Sequence, residues 1–473
     1  MEVDSILKIL ILVIGFYMAW NIGANDVSNA MGTSVGSGAL SLRKAVIVAA
    51  ILEFSGAFFV GGTVSQTIQT GIVDTTIFAS EPLILILGMC AALLGTGIWL
   101  QIASYQGWPV STTHAVVGAI LGFGSLISLK AVHWNEIGFI ALSWIISPLL
   151  SAIFSYLLFN IIQRKILYAM NPVQATKKLM PFLVFLIFFI FTLSCLSNGL
   201  KNLHLTISFP TALSIAIAVG ALAAIIALLI IKRLPHLTEY AVSNPRHTPQ
   251  TVLSLEKAIK HLQRVRASSH DETHLKVKDL LHAIQKLSND LRKETTLLES
   301  TSEYNIVEKM FVYLQIMSAC FIAFAHGAND VANAIGPVAA VLDTIKHGVM
   351  SEASIIPSWL LIFGGIGIVI GLATWGWRVI ETIGKKITEL TPTRGFCAEF
   401  GAAATILFAS KLGLPISTTH CLVGAVLGVG LAKGFRALNL SMLHDILLSW
   451  IITIPASAIM TIIIYYILKF LFI

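Results

Sequence analysis

The stretch Gly23-Ala-Asn-Asp-Val-Ser-Asn-Ala30 places one acid and two amides inside apolar sequence, and Gly327-Ala-Asn-Asp-Val-Ala-Asn-Ala334 repeats it 304 positions later. Seven of the eight residues are identical. A second pair of motifs follows, because the blocks 109–124 and 415–430 agree at 11 of 16 positions, 306 residues apart, and both contain Ser-Thr-Thr-His. Duplicated polar motifs in a hydrophobic chain are typical of a transporter in which each half supplies part of one binding site.

The composition predicts an integral membrane protein. Hydrophobic residues make up 56% of the 473 residues and charged residues 12%, against about 25% charged residues in soluble domains. We therefore predict an all-α fold with about twelve transmembrane segments, some of them broken or half-length helices. The segments lie at 5–33, 44–62, 82–103, 109–128, 136–161, 181–198, 209–231, 310–341, 355–378, 396–411, 415–432 and 444–471.

The order of these segments predicts two repeats of opposite orientation. Seven segments separate the starts of the two motif copies, and an odd number makes the copies enter the membrane in opposite directions. Such inverted-topology repeats place their shared site near the middle of the bilayer. We predict a first repeat at 1–162, linking transmembrane helices at 163–232, a cytoplasmic helical loop at 233–309 and a second repeat at 310–473.

The loops that are rich in Lys and Arg fix the predicted orientation. The positive-inside rule assigns these loops to the cytoplasm and both termini to the extracytoplasmic side. The compact chain and its short termini favour a bacterial inner membrane. The segments 181–198 and 209–231 have no counterpart in the second half, so we expect them to connect the repeats and hypothesise that they contact a second protomer in a homodimer. The basic loop residues are Arg43, Lys44, Arg164, Lys165, Lys177, Lys178, Arg378, Lys385, Lys386, Arg394, Lys433 and Arg436.

The long loop has a helical pattern of its own. Between residues 232 and 309, 13 Lys and Arg are mixed with ten acids, which indicates a solvated segment and excludes a nucleic-acid-binding patch. Two apolar stripes at helical spacing, separated by 268–273, predict a cytoplasmic helical hairpin. It is either a tether or a regulatory element. The stripes are Leu255, Ile259, Leu262 and Val265, and Leu280, Ile284, Leu287 and Leu291.

The first motif offers ligands for a hard cation. On a helix, the two Asn of the motif are four residues apart and share a face. The Asp lies beside the second Asn, three residues before it. An ionised Asp inside a bilayer costs several kcal/mol unless it is paired, and Gly23 and Gly327 permit a helix break that frees carbonyl oxygens. Carboxylate, amide and carbonyl oxygens suit Na⁺; a proton on each Asp, or an Asn–Asp cluster that only joins helices, are the alternatives. The predicted cation-binding residues are Asn25, Asp26, Asn29, Asn329, Asp330 and Asn333, with Na⁺ held by Asn25, Asp26, Asn329 and Asp330.

The second motif offers the opposite chemistry. A Pro followed by hydroxyl side chains and an apolar run predicts a helix start inside the membrane. Its unpaired N–H groups and the helix dipole attract an anion, so two such starts would hold one tetrahedral oxyanion; ordinary helix capping is the alternative. Because the duplicated motif has no nucleophile elbow, we exclude a hydrolase and expect His114 and His420 to be hydrogen-bonded among the helices. The predicted anion ligands are Ser111, Thr112, Thr113, Ser417, Thr418 and Thr419.

Together, these motifs resemble the signature of the inorganic phosphate transporter (PiT) family. The similarity covers the chain outside 232–309 and includes Arg43, Glu53 and the segment 391–399. It implies cation-coupled uptake of inorganic phosphate through inverted repeats with twelve segments and a large cytoplasmic loop. It also implies that Asp26 and Asp330 couple transport to the cation and that the two Ser-Thr-Thr tips hold phosphate.

The resemblance further implies that Glu53 and Glu399 are additional acids with a role in transport. Leu93 stands opposite Glu399 in the first half, so the two halves are not equivalent at every acid. The triplets 66–68 and 381–383 are a weaker repeat pair.

The predicted function is a secondary transporter that imports inorganic phosphate by symport with a cation, Na⁺ or H⁺, through alternating access, and that is neither an enzyme nor dependent on a cofactor. Divalent phosphate beside two Asp would be repelled without cations, which favours two or more Na⁺. The alternatives are a proton-coupled phosphate or sulfate permease of the same fold, an anion channel, and a membrane sensor that signals through the loop.

Overall fold

A computed structural model describes residues 2–106, 108, 110–198, 207–233, 249–268, 271–298, 302–348, 356–376, 391–433 and 440–473. Several sequence predictions fall outside these residues: Pro109, the triplet 381–383, and the basic residues Arg378, Lys385, Lys386 and Arg436. The elements within the described ranges are helices, apart from an isolated β-bridge between Val73 and Val132.

The helices of the first half are α1 (Glu2–Asn25), α2 (Val27–Gly36), α3 (Leu42–Val60), α4 (Gly62–Thr70), α5 (Pro82–Gln106), α6 (Thr112–Ile127), α7 (Trp134–Ile162), α8 (Pro172–Asn198) and α9 (Phe209–Arg233). Those of the second half are α10 (Pro249–Ser268), α11 (Asp271–Leu298), α12 (Ser302–His347), α13 (Ser358–Gly371), α14 (Pro392–Lys411), α15 (Thr418–Lys433) and α16 (Leu440–Phe472). Single π-helical turns follow α7 at Gln163–Leu167 and α13 at Leu372–Gly376.

The helices confirm an integral, multi-pass membrane protein. Within the described residues, eight helices are long and apolar enough to cross a bilayer, or nine if the bent pair α3 and α4 forms one span. In the most apolar 18 residues of each helix, only 17% of the residues of α9 and 22% of those of α7 are buried inside the protein. Their apolar side chains therefore face outward. Apolar surface of this kind is stable where lipid covers it. The prediction of twelve segments stays a prediction.

The chain divides into two compact units. One unit comprises residues 1–159, 185–222 and 312–473, and therefore contains both copies of each duplicated motif. The other unit comprises residues 160–184 and 223–311.

In the second unit, α10 and α11 pack against each other as a helical hairpin. Its buried face differs from the predicted stripe, because Leu281 is buried while Leu280 and Leu287 are about half exposed. The predicted location of this hairpin in the cytoplasm stays a prediction.

Interrupted helices occur where the sequence predicts short ones. α3 and α4 form a bent pair with an angle of 63° between them. The two Ser-Thr-Thr motifs open α6 and α15, each of only 16 residues. Such a helix is shorter than the roughly 20 residues of a full span. The half-length helices of the predicted fold are therefore α6 and α15.

The predicted helix breaks at Gly23 and Gly327 are wrong. The interruption in the first copy falls at Asp26, whose backbone is itself helical, and α12 runs without a break through Gly327. The glycines serve close packing instead. A Cβ at Gly23 would lie 1.9 Å from the carbonyl oxygen of Ile368 on α13, and one at Gly327 would lie 2.1 Å from that of Glu53 on α3. Each motif helix thus packs on a helix of the other half.

The half-length helices pack across the two halves in the same way. Gly118 and Gly122 of α6 lie against the backbone of α16 at Ile454 and Ala458. In α15 the corresponding pair is Gly424 and Gly428, which lie against Pro148 and Ala152 of α7; a Cβ on either would approach a carbonyl oxygen to within 2.2 Å. Small residues at four-residue spacing allow helix backbones to approach closely inside a membrane.

We expect Gly327→Ala to lower the thermal stability of the protein, because its Cβ would overlap the Glu53 carbonyl, and overpacking costs about 1–3 kcal/mol. The measurement is the unfolding temperature of the purified protein in detergent. Gly138→Ala is the matched control, since no heavy atom lies within 4 Å of its Cβ position on α7. An unfolding temperature that falls equally in both variants would contradict the close packing.

Candidate ion-binding site

The structure brings both copies of both motifs into one buried cluster. The Thr112 hydroxyl of α6 donates to the carboxylate of Asp26, and the Thr418 hydroxyl of α15 donates to Asp330 at 2.8 Å. These four side chains are at most 4% exposed. Within each half, an acid from the first motif is therefore paired with a hydroxyl from the second.

Two further hydrogen bonds cross between the halves. The Asn29 amide donates to the Thr419 hydroxyl at 2.7 Å, and the Asn333 amide donates to the Thr113 hydroxyl at 3.3 Å. Thr113 in turn donates to the carbonyl oxygen of Ile416, just before the second Ser-Thr-Thr, at 2.9 Å. The two half-sites consequently share one set of side chains.

The tips of α6 and α15 have the predicted capped geometry. The Ser111 hydroxyl oxygen accepts a hydrogen bond from the backbone N–H of His114 at 3.3 Å, and Ser417 accepts one from that of His420 at 3.1 Å. The Ser caps therefore occupy one N–H group at each helix start, and the positive end of each helix dipole faces the cluster. Two such helix starts are suited to an anion.

The predicted hydrogen bonding of the two histidines is wrong for most of their ring nitrogens. Nδ1 of His114 and both ring nitrogens of His420 are buried and have no hydrogen-bond partner among the described residues. Their rings contact each other and two tryptophans instead.

Several polar atoms of the first motif also lie buried without a hydrogen-bond partner in the described part of the chain. They include Nδ2 of Asn25 and one oxygen of each of Asn329, Asp330 and Asn333. Leaving a polar atom unpaired in a protein interior costs free energy, so such atoms indicate a place where a ligand or ion binds. Carboxylate and amide oxygens are the donors that a hard cation requires.

His326 is the site residue that the motif analysis missed. Its Nε2 lies 2.9 Å from the Asp330 carboxylate and its Nδ1 lies 3.2 Å from that of Glu53, so it connects α12 to α3. Donor atoms of Asp26, His326 and Asp330 all lie within 4.8 Å of one another. The available signal was a polar residue directly before Gly327, where the first copy has Ile22.

Glu399 is surrounded by other side chains. Its carboxylate, which is fully buried, accepts hydrogen bonds from the hydroxyls of Thr33 and Ser34 at 2.6 Å and from Ser318 at 2.5 Å. The Gln315 amide adds a fourth bond at 3.2 Å. Glu399 thus links α14 to α2 and α12 through neutral donors, a set of partners that the repeat pattern does not contain.

The chain is similar to known proteins over nearly its whole length. Residues 22–461 match the model of the phosphate transporter family (PHO4). The chain is 45% identical to inorganic phosphate transporter 2-1, chloroplastic, of Arabidopsis thaliana, over 97% of this chain and 72% of the relative. It is also 45% identical to a protein named as a phosphate permease in Chlamydia pneumoniae, over 98% of this chain and 99% of the relative.

A solved structure shares both sequence and fold. The structure described as the sodium-dependent phosphate transporter is 35% identical and superimposes with a TM-score of 0.76, over 98% of this chain and 99% of that one. Family, relatives and structure agree over nearly the whole length. This chain therefore belongs to the phosphate transporter family, whose members are membrane transporters and not enzymes.

Proposed function

We propose that the protein imports inorganic phosphate by symport with Na⁺, through alternating access to a site that two inverted repeats share. The observation that carries the proposal is the pair of crossed hydrogen bonds, Asn29 to Thr419 and Asn333 to Thr113. They join the cation ligands of each half to the anion ligands of the other. A site in which the two ligand sets touch is suited to transport in which neither ion moves alone.

The cation side is the face of the first motif. We assign Na⁺ to Asp26 and Asn25 of one half and to Asp330 and Asn329 of the other, with Asn29 and Asn333 beside them. Both carboxylates are nearly fully buried, so their charge is expensive in the absence of a cation. Phosphate adds negative charge to the same space, and its binding therefore requires Na⁺ there.

The anion side consists of the two Ser-Thr-Thr tips. The Thr112 and Thr418 hydroxyls donate to the acids in this structure. A Na⁺ ion that neutralises an acid weakens its hold on the hydroxyl, and the hydroxyl can then donate to a phosphate oxygen. This exchange of partners gives a physical route from cation binding to phosphate affinity, and linkage requires the same coupling in reverse.

Selectivity for phosphate over sulfate has a basis in the same residues. Phosphate keeps a proton near neutral pH, whereas sulfate has none to donate. The oxygens of Asn329 and Asp330 that lack hydrogen-bond partners among the described residues are acceptors for that proton. A sulfate ion would face these acceptors with lone pairs only, so we expect weak competition from sulfate.

The reciprocal packing of the two halves supports the inverted repeats. Gly23 lies against α13, Gly327 against α3, α6 against α16 and α15 against α7. A two-fold relation between the halves produces such exchanged contacts, and it would place the site near the bilayer midplane. We propose that residues 233–309 lie in the cytoplasm and both termini outside.

One observation favours a proton-coupled alternative. His326, in contact with both Asp330 and Glu53, adds an imidazole to the acids of the site. Imidazole and carboxylate side chains form proton relays in transporters. The same fold and phosphate ligands would then serve a proton-driven permease.

The first measurement is uptake of labelled phosphate into liposomes that contain the purified protein. We expect uptake under an inward Na⁺ gradient, no uptake with K⁺ in its place, and little competition from sulfate. Uptake that follows a proton gradient alone would contradict Na⁺ coupling and favour the proton-coupled alternative. Conductance that is independent of any cation would indicate an anion channel.

Single substitutions test which side chains bind the cation and which bind phosphate. We expect Asp26→Asn to abolish the dependence of uptake on Na⁺ concentration, because the amide cannot neutralise the cation. Thr112→Ala and Thr418→Ala should each raise the KM for phosphate roughly tenfold or more, since a hydrogen bond to a charged group contributes about 1.5–3 kcal/mol.

The matched controls are Thr112→Ser and Thr418→Ser, which keep the hydroxyl and should keep a KM within about twofold of the parent protein. Saturation curves for phosphate and for Na⁺ provide the readout. Full Na⁺-driven uptake in all three of the disruptive variants would show that the ligands are assigned wrongly.

A further inference from the structure

Four aromatic rings form a continuous row across the two halves. The rings of His114 on α6 and His420 on α15 lie 4.3 Å apart between their centroids. His114 also contacts Trp144 of α7 at 3.8 Å, edge to face, and His420 stacks on Trp450 of α16 at 3.4 Å. The row therefore runs Trp144, His114, His420, Trp450.

The row is itself a duplicated feature. The two histidines are 306 residues apart, and so are the two tryptophans, which lie in the segments Ser-Trp-Ile-Ile at 143–146 and 449–452. The offset equals that of the Ser-Thr-Thr tips. Each half thus contributes one histidine and one tryptophan, and the two histidines meet where the halves join.

Hydrogen bonds connect the residues of this row to the two Ser-Thr-Thr tips. The backbone N–H of His114 donates a hydrogen bond to the Ser111 hydroxyl oxygen, and that of His420 donates one to the Ser417 hydroxyl oxygen. The indole N–H of Trp144 donates to the carbonyl oxygen of Pro415, two residues before Ser417, at 3.1 Å. A change in the spacing of the rings therefore moves both tips.

The contact between the histidines depends on ring packing. His114 and His420 are 3% and 2% exposed, yet three of their four ring nitrogens have no hydrogen-bond partner among the described residues. Aromatic ring pairs contribute free energy beyond the area they bury. Packed cores resist small changes of volume, so such a row holds the two helix starts at a set distance.

We propose that His114 and His420 are positioning residues for phosphate, whose ring contact fixes the distance between the two Ser-Thr-Thr tips. The inference rests on the proposed function of those tips. The rings set how far apart the two groups of anion donors lie, and hence how well both reach one tetrahedral anion. They act through Ser111 and Ser417 and have no contact of their own with phosphate.

The test is the KM for phosphate at saturating Na⁺ in reconstituted liposomes. We expect His114→Ala and His420→Ala each to raise it roughly two- to tenfold, the range that loss of an aromatic pair predicts. The double variant should raise it less than the product of the two, because the same contact is lost in all three. His114→Phe and His420→Phe keep a ring and should keep a KM within about twofold of the parent protein.

Two controls separate positioning from stability. Phe123→Leu removes a buried ring of α6 that stacks on Phe78, and it should lower the unfolding temperature while leaving the KM unchanged. We expect Na⁺ to raise the unfolding temperature of the parent protein in phosphate-free buffer, and to raise that of the His variants equally, because the cation ligands are intact.

Each remaining outcome overturns the inference in a distinct way. A lower unfolding temperature with an unchanged KM in both Ala variants would show that the rings stabilise the fold but do not position the phosphate ligands. A KM that rises as much in the Phe variants as in the Ala variants would mean that the imidazole nitrogens act, and ring packing does not. Absence of phosphate uptake by the parent protein would instead refute the proposed function, and the inference with it.

Discussion

The cost of a negative charge inside a membrane protein governs this structure. Asp26 and Asp330 are 2% and 1% exposed, and Glu53 and Glu399 are fully buried. Around Asp26 and Glu399, hydroxyl and amide donors satisfy the geometry of the carboxylate but leave its charge in place. An anion that enters the same space raises that cost further. Charge of this kind favours binding a cation together with an anion, as the proposed symport requires.

The duplicated motifs are longer than their ligand sets because they also hold the helices together. Gly23 and Gly327 precede the acids and allow the motif helices to touch the backbones of α13 and α3. The glycines after Ser-Thr-Thr-His do the same for α6 and α15 against α16 and α7. Close backbone approach restricts where a helix can lie, and this restriction brings together polar side chains that are about 300 residues apart in sequence.

The sequence was sufficient for the fold class, the half-length helices and the meeting of the four motifs, because duplication is visible without coordinates. The sequence led to a wrong prediction where one residue type has two structural roles. Glycine permits a helix break, but at Gly23 and Gly327 it permits close contact between helix backbones. His326 was missed because it has no polar counterpart in the first half, and the donors around Glu399 because none belongs to a repeated motif. A contact that occurs in only one half produces no repeated motif, so the sequence alone does not predict it.

These single contacts make the two halves unequal. Asp330 has His326 beside it and, through His326, Glu53, whereas the equivalent position in the first half is Ile22. Each acid has one Thr donor, and His326 is in direct contact with Asp330 but also lies within 4.8 Å of Asp26. The imidazole therefore offsets part of the cost of burying both acids, and more of it for Asp330, which it contacts at 2.9 Å. The duplication thus accounts for the pair of acids, and the contacts that are not duplicated make the surroundings of the two acids unequal.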